Sequence, residues 1–208
     1  EMCIRDRDQG GEPHVLLLAG DAFDLASEQV RTSLVVAAER MAATVGAVDN
    51  VSLFDGRTDA WMECFRRLQG LEIWRTHGEW IRTAKPAFGA DIQARFEWAA
   101  SLDPLTEDSA NESREVITRH VDELLGTEGI FCIPTSPSIA PLVKTPGIEM
   151  EKFRHRALSL LCVAGLARLP QVSLPLAEHG ACPLGLSLIG PRHSDRQLLA
   201  LAVRIMGQ

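Results

Sequence analysis

The sequence predicts a single α/β domain, and three observations carry that prediction. Short apolar runs of strand length recur along the chain. Between them lie segments whose apolar residues return every three or four positions. Prolines, glycines and Ser-x-x-Glu or Ser-x-x-Gln pairs fall where one pattern gives way to the next. The chain's 208 residues suffice for one sizeable core. No internal repeat, low-complexity tract or interdomain linker divides it.

Taken in order, Val15 to Leu18 is a buried-strand run ahead of Gly20. Asp24 is placed to cap the helix that follows, on which Val30, Leu34, Met41 and Val45 share one face. Val51 to Phe54 reads as a second strand. Asp59 to Ala100 is helical, with Trp61, Cys64, Phe65 and Leu68 on one face and Ile92, Phe96 and Ala99 on another. Pro86 breaks it, because proline has no N–H to donate. Ser109 with Glu112 reads as a capping box for a helix that Gly129 stops.

Ile130 to Ile133 is a buried strand, followed by a proline-rich loop from Pro134 to Gly147. Phe153 to Leu166 is helical. Val172 to Leu174 and Leu184 to Ile189 are strands joined by a turn at His179-Gly180. Ser194 with Gln197 reads as a second capping box, and Leu198, Leu199, Ala202 and Ile205 mark the last helix.

Composition narrows the function. The formal net charge is -7, and the basic residues are scattered, which argues against a nucleic-acid surface. No apolar run approaches the ~18 residues of a membrane span. The five cysteines are an odd number without a C-x-x-C pair, as expected of a reduced, cytoplasmic protein. The bias to Arg over Lys, with many Ala, is a coding bias of the kind GC-rich bacterial genomes impose. Residues 1–7, EMCIRDR, read as a translated sequencing adapter at the edge of a metagenomic assembly, the alternative being a natural leader. Residues 8–208 then form the domain, and the gene continues upstream.

Chemistry is sparse. No glycine-rich phosphate loop, G-x-S-x-G elbow or H-E-x-x-H spacing occurs, and His77, His120, His155 and His179 stand isolated. No metal site or cofactor follows. Cys132 lies in an apolar run, where a thiol stays protonated and inert. Ser136 and Ser138 beside Lys144 allow a Ser–Lys dyad on paper, but turn chemistry explains them more simply.

Three segments add a resemblance. Leu161 to Ile205 carries Ala164-Gly165-Leu166, Leu169-Pro170, Pro175, Pro183-Leu184-Gly185 and Leu188-Ile189-Gly190-Pro191. Ile130 to Pro141 reads IFCIPTSPSIAP, and Trp74 to Phe96 carries HGEW, KP and a following I-x-x-R pattern. The first two resemble the amidase-signature family; the third resembles its indoleacetamide-hydrolase-like branch. The resemblance implies an α/β/α sandwich with a mixed sheet, of which this chain is the C-terminal, incomplete part.

It also implies hydrolysis of a small carboxamide by a serine nucleophile, a second serine on a cis peptide and an upstream lysine. This sequence has no Ser-Gly-Gly or Gly-Ser-Ser run, and Lys85, Lys144 and Lys152 lie outside the family's lysine segment. No catalytic residue carries over, and the chain alone is expected to be inactive. Thr135, Ser136 and Pro137 are expected to flank the substrate at the C-terminal end of their strand, with Trp74, His77 and Trp80 as a helical cover. The expected partner is a small amide, with no nucleic acid and no membrane; a homodimer is left open. Two alternatives stand: a non-catalytic amidase-like binding module, and an amidotransferase subunit acting on misacylated tRNA.

Overall fold

The computed structural model describes residues 14–207. The leader expected at residues 1–7, with Cys3, lies outside the described residues. Five strands form one mixed sheet: β1 (Val15–Ala19), β2 (Ala47–Val51), β3 (Gly129–Pro134), β4 (Gln171–His179) and β5 (Cys182–Ile189). Their order is β2-β1-β3-β5-β4. β2 and β3 run parallel to β1, while β5 runs antiparallel to both β3 and β4.

Seven helices accompany them among the described residues: α1 (Gly20–Phe23), α2 (Glu28–Val45), α3 (Thr58–Ala84), α4 (Ala90–Ser101), α5 (Glu107–Leu125), α6 (Gly147–Ala167) and α7 (Asp195–Met206). Side chains alternate across a strand, so β3 feeds two cores. Phe131 and Ile133 pack with buried residues of α3, α5 and α6. Ile130 and Cys132 pack with α2 and α7. The central strand is therefore apolar throughout, and the architecture is helix layer, mixed sheet, helix layer, in the α/β class the sequence predicts.

The apolar faces fall largely where periodicity puts them. Val30, Leu34 and Met41 are buried along α2, and Trp61 and Cys64 along α3. Gly165 lets Phe65 approach, since a Cβ there would lie 2.8 Å from the ring. The hairpin turn sits one residue later than His179-Gly180. Gly180 and Ala181 both adopt positive φ, the geometry that matches the twist of two paired strands.

Several expectations are corrected. Asp24 ends α1 rather than capping α2; Ser27 precedes α2, and Asp24 pairs with Arg31 instead. The second strand is Ala47–Val51, not Val51 to Phe54. The carboxylate of Asp21 accepts the backbone N–H groups of Leu53, Phe54 and Asp55, which turns the chain out of the sheet there. Neither capping box forms. Ser109 lies inside the first turn of α5 and donates to the Thr106 carbonyl. Ser194 donates to the Pro191 carbonyl. Gly126, not Gly129, follows the last turn of α5; Gly129 already belongs to β3.

Pro175 does not end its strand. β4 continues to His179 through a register shift between Leu174 and Ala177, and an edge strand tolerates proline at such a bulge. In α7 Leu198, Ala202 and Ile205 are buried as expected, and Leu201 joins them, while Leu199 is exposed.

Candidate functional site

The loop that follows β3 leaves the sheet at the strand's C-terminal end, beside the C-terminal end of the parallel β1 and the start of the antiparallel β5. Ladder-like bonding extends one residue past the strand, because the Thr135 N–H donates to the Gly185 carbonyl at 2.9 Å. By alternation after Phe131 and Ile133, the Thr135 side chain faces the side covered by α3, α5 and α6. There its Oγ1 lies 2.8 Å from the hydroxyls of both Ser173 on β4 and Ser187 on β5. Ser187 is fully buried, so it needs this partner. Gly185 makes room: a Cβ there would meet Thr135 Oγ1 at 2.8 Å and Ser173 Oγ at 3.0 Å.

The next residues are held by one bond within the loop and two from Ser27. The Ser136 hydroxyl donates to the Ser138 carbonyl at 2.7 Å. The Pro137 carbonyl accepts the Ser27 N–H at 2.7 Å, and the Ser27 hydroxyl donates to that of Ser138 at 3.3 Å. Six hydroxyls thus gather at one corner of the sheet, with Pro137 buried among them. This region is rigid and polar and offers hydrogen bonds to a neutral carbonyl or amide. Ser136 bonds within the loop, as turn chemistry requires, while Ser138 also accepts from Ser27 at the start of α2.

On the same side of the sheet, α3, α4 and α6 enclose a cleft of about 620 Å³. Apolar walls come from Met62, Ile73, Phe96, Trp98 and Leu158, and polar groups from Arg66, Gln69, Arg95, Glu151, Arg154 and His155. Gly70 on its wall lets α3 and α4 approach closely, since a Cβ there would lie 2.7 Å from both Trp98 and Leu102. Arg154 joins two of the helices by pairing with Glu151 at 2.6 Å and Asp91 at 3.5 Å. Volume and mixed lining suit an organic ligand.

Of the expected site residues, Thr135, Ser136 and Pro137 stand together at the sheet corner. Trp74, His77 and Trp80 do not line the cleft. Trp74 packs against Gly78 with Arg82 over its ring, His77 is exposed, and Trp80 meets Phe88 edge-on. The cleft uses earlier turns of α3, which the HGEW pattern does not reach. Sequence reading missed Ser173, Ser187 and the cleft. Ser187 carries a signal, a lone hydroxyl in the apolar strand Leu184 to Ile189; the cleft residues are spread over three helices and carry none.

Burial keeps the thiols of Cys64, Cys132 and Cys162 protonated. Burial alone pushes Cys132 far up, and burial pushes Cys162 up to about 12. Burial also raises Cys64, whose thiol faces the Ala110 carbonyl. His120 Nε2 lies 3.0 Å from the Leu53 carbonyl with its ring against Trp61, a packing role.

No family model matches the chain. It is 37% identical over 136 residues to Amidase 1 of Arabidopsis thaliana, covering 65% of this chain and 32% of that protein. It is 35% identical over 132 residues to Outer envelope protein 64, chloroplastic, of the same plant, covering 64% of this chain and 22% of that one. The chain therefore spans a third or less of these relatives' length. Among solved structures, one described as the crystal structure of an amidase superposes with a TM-score of 0.82 at 21% identity, covering 97% of this chain and 47% of that one. That likeness establishes the fold.

Proposed function

We propose that this chain is the C-terminal part of an amidase-signature hydrolase that cleaves the C–N bond of a small carboxamide through an acyl-serine intermediate. The observation that carries this reading is the 37% identity over 136 residues to a protein named amidase. The serine nucleophile, its cis-serine partner and the lysine base lie in sequence outside this chain. The present residues supply one wall of the site. Thr135, Ser136 and Pro137 flank the amide, and Thr135 is oriented by Ser173 and Ser187. The cleft between α3, α4 and α6 takes the acyl body, whose size fits the arylacetamide-like substrates of the indoleacetamide branch. No cofactor is required, and the protein works in the cytoplasm; no helix among the described residues is long and apolar enough to cross a membrane.

A second reading is a binding module that keeps the fold without the chemistry, favoured by the likeness to an outer envelope protein. Hydrolysis assays with indoleacetamide, benzamide and propionamide separate the two. The 208-residue chain alone is expected to give no turnover, and the protein extended through its upstream coding sequence is expected to release ammonia. In that longer protein Thr135→Val should lower kcat/KM by about tenfold, as expected for one lost hydrogen bond. No turnover from the extended protein would leave the binding module. Turnover by the short chain that Ser136→Ala abolishes would restore the Ser–Lys dyad.

A further inference from the structure

We propose that the cleft between α3, α4 and α6 selects an organic anion with an aromatic or branched apolar body, such as an arylacetate or an amide bearing a second, anionic group. This deepens the preceding reading by naming a ligand class for its cleft, but it stands on the cleft's own charges. The lining holds three arginines, one histidine and a single carboxylate. Arg154 is neutralised by Glu151 and Asp91, and His155 faces Asp59 at 3.7 Å. Arg66 and Arg95 have no carboxylate partner among the described residues. In a chain of net charge -7, two uncompensated guanidinium groups in one cleft are a local reversal of sign.

Their placement suits an anion. Arg66 lies over Trp98, with its central carbon 4.9 Å from the ring centroid. Cation–π attraction to the ring consumes none of the guanidinium's N–H donors, so they can still bond a carboxylate. Arg95 precedes Trp98 by three residues on α4, so both side chains lie on one helical face. Phe96, Ile73 and Leu158 line the same space and shield a ligand's apolar body from water.

The test is calorimetric titration of the purified protein with indole-3-acetate and with neutral indole-3-acetamide. Arg66→Gln and Arg95→Gln, singly and together, are compared with Arg40→Gln on the exposed side of α2; all three substitutions lie at partly or fully exposed side chains. The acid is expected to bind about tenfold or more tightly than the amide, the factor one hydrogen bond to a charged group sustains. The double variant should erase that preference while Arg40→Gln keeps it. Equal binding of acid and amide, absence of binding by both, or a preference that survives in the double variant would overturn the anion site. Amide turnover measured in parallel, with the protein extended through its upstream coding sequence, keeps the two readings apart. Lost preference with intact turnover removes only the anion site, and preference without turnover removes only the hydrolase.

Discussion

Arg168 follows the last turn of α6 in the left-handed conformation, at φ 56 and ψ 47. A side chain there crowds the backbone, and glycine is the residue that helix ends most often use at this place. The ion pair that Arg168 makes with Glu115 is exposed and long, 3.7 Å, and contributes little. Arg168→Gly is therefore expected to stabilise the fold by about 0.5–1 kcal/mol, after discounting glycine's greater freedom in the unfolded chain. A urea transition that moves to lower concentration would refute the argument. Cys162 offers a second residue-scale test. Its folded pKa is pushed up from 9.0 to about 12 by burial, so the native state holds the thiol proton more tightly than the unfolded state. This contribution is constant below pH 9 and declines between pH 9 and about 12, with a limiting slope of ~1.4 kcal/mol per pH unit for a single thiol. In Cys162→Ala the alkaline loss of stability should be shallower by that slope, read from melts at pH 8 to 10.5. Identical slopes would mean the thiol ionises freely in the native state.

The elements show what sequence pattern encodes and what it does not. β3 and the faces of α2 and α3 are legible, because burial of a strand or helix face dictates residue type at every second or every third to fourth position. Boundaries are less so. The turn at Leu53 to Asp55 is made by Asp21, over thirty residues earlier, and no local pattern announces such a bond. The capping boxes fail for the same reason: Ser109 and Ser194 match the spacing, but each finds a nearer carbonyl. The site divides likewise. The Thr135–Pro137 loop is legible from its prolines and the strand before it, whereas the cleft depends on how closely α3 and α4 pack. That approach is set by Gly70, where any Cβ must displace Trp98 and Leu102. Gly70→Ala is expected to cost about 1–3 kcal/mol, typical of overpacking, and to shift Trp98 fluorescence as the cleft wall moves. Gly185→Ala should break the Thr135–Ser173–Ser187 contacts at similar cost but leave Trp98 emission unchanged. An unchanged stability for either variant would show that the close approach is not structural.

At the scale of the whole molecule, the buried sheet contrasts with apolar groups left on the outside. Leu199, Val203 and Met206 are 55%, 73% and 50% exposed and lie on one face of α7, spaced by four and three residues. Leu142 and Val143, in the loop leading to α6, are more exposed still, and Ile148 is exposed at the first turn of that helix. Val35, Val36 and Leu161 add smaller areas on α2 and α6, the helices whose apolar faces are the longest in the sequence. Among the described residues β2 and β4 form the sheet edges, and they are poor templates for association. β2 presents Asp49 and Asn50, and β4 is bent at Pro175 and carries Glu178. Charges, proline and bulges are what blunt an edge. Association by the isolated chain should therefore run through the apolar stripe of α7 rather than by strand addition. Burial stabilises by roughly 25 cal/mol per Å², and a stable dimer needs about 800 Å² on each partner. Three partly exposed side chains fall well short of that, so the expected behaviour is weak, concentration-dependent self-association rather than a tight dimer. Size-exclusion chromatography with light scattering should show the mean mass rising between micromolar and hundreds of micromolar chain. Leu199→Glu with Val203→Lys should return the chain to a monomer without loss of stability, because the acidic residue enters nearer the start of α7 and the basic one nearer its end, each matched to the helix dipole. A wild-type chain that stays monomeric throughout that range, with a cooperative unfolding transition, would show that these exposed groups are ordinary surface.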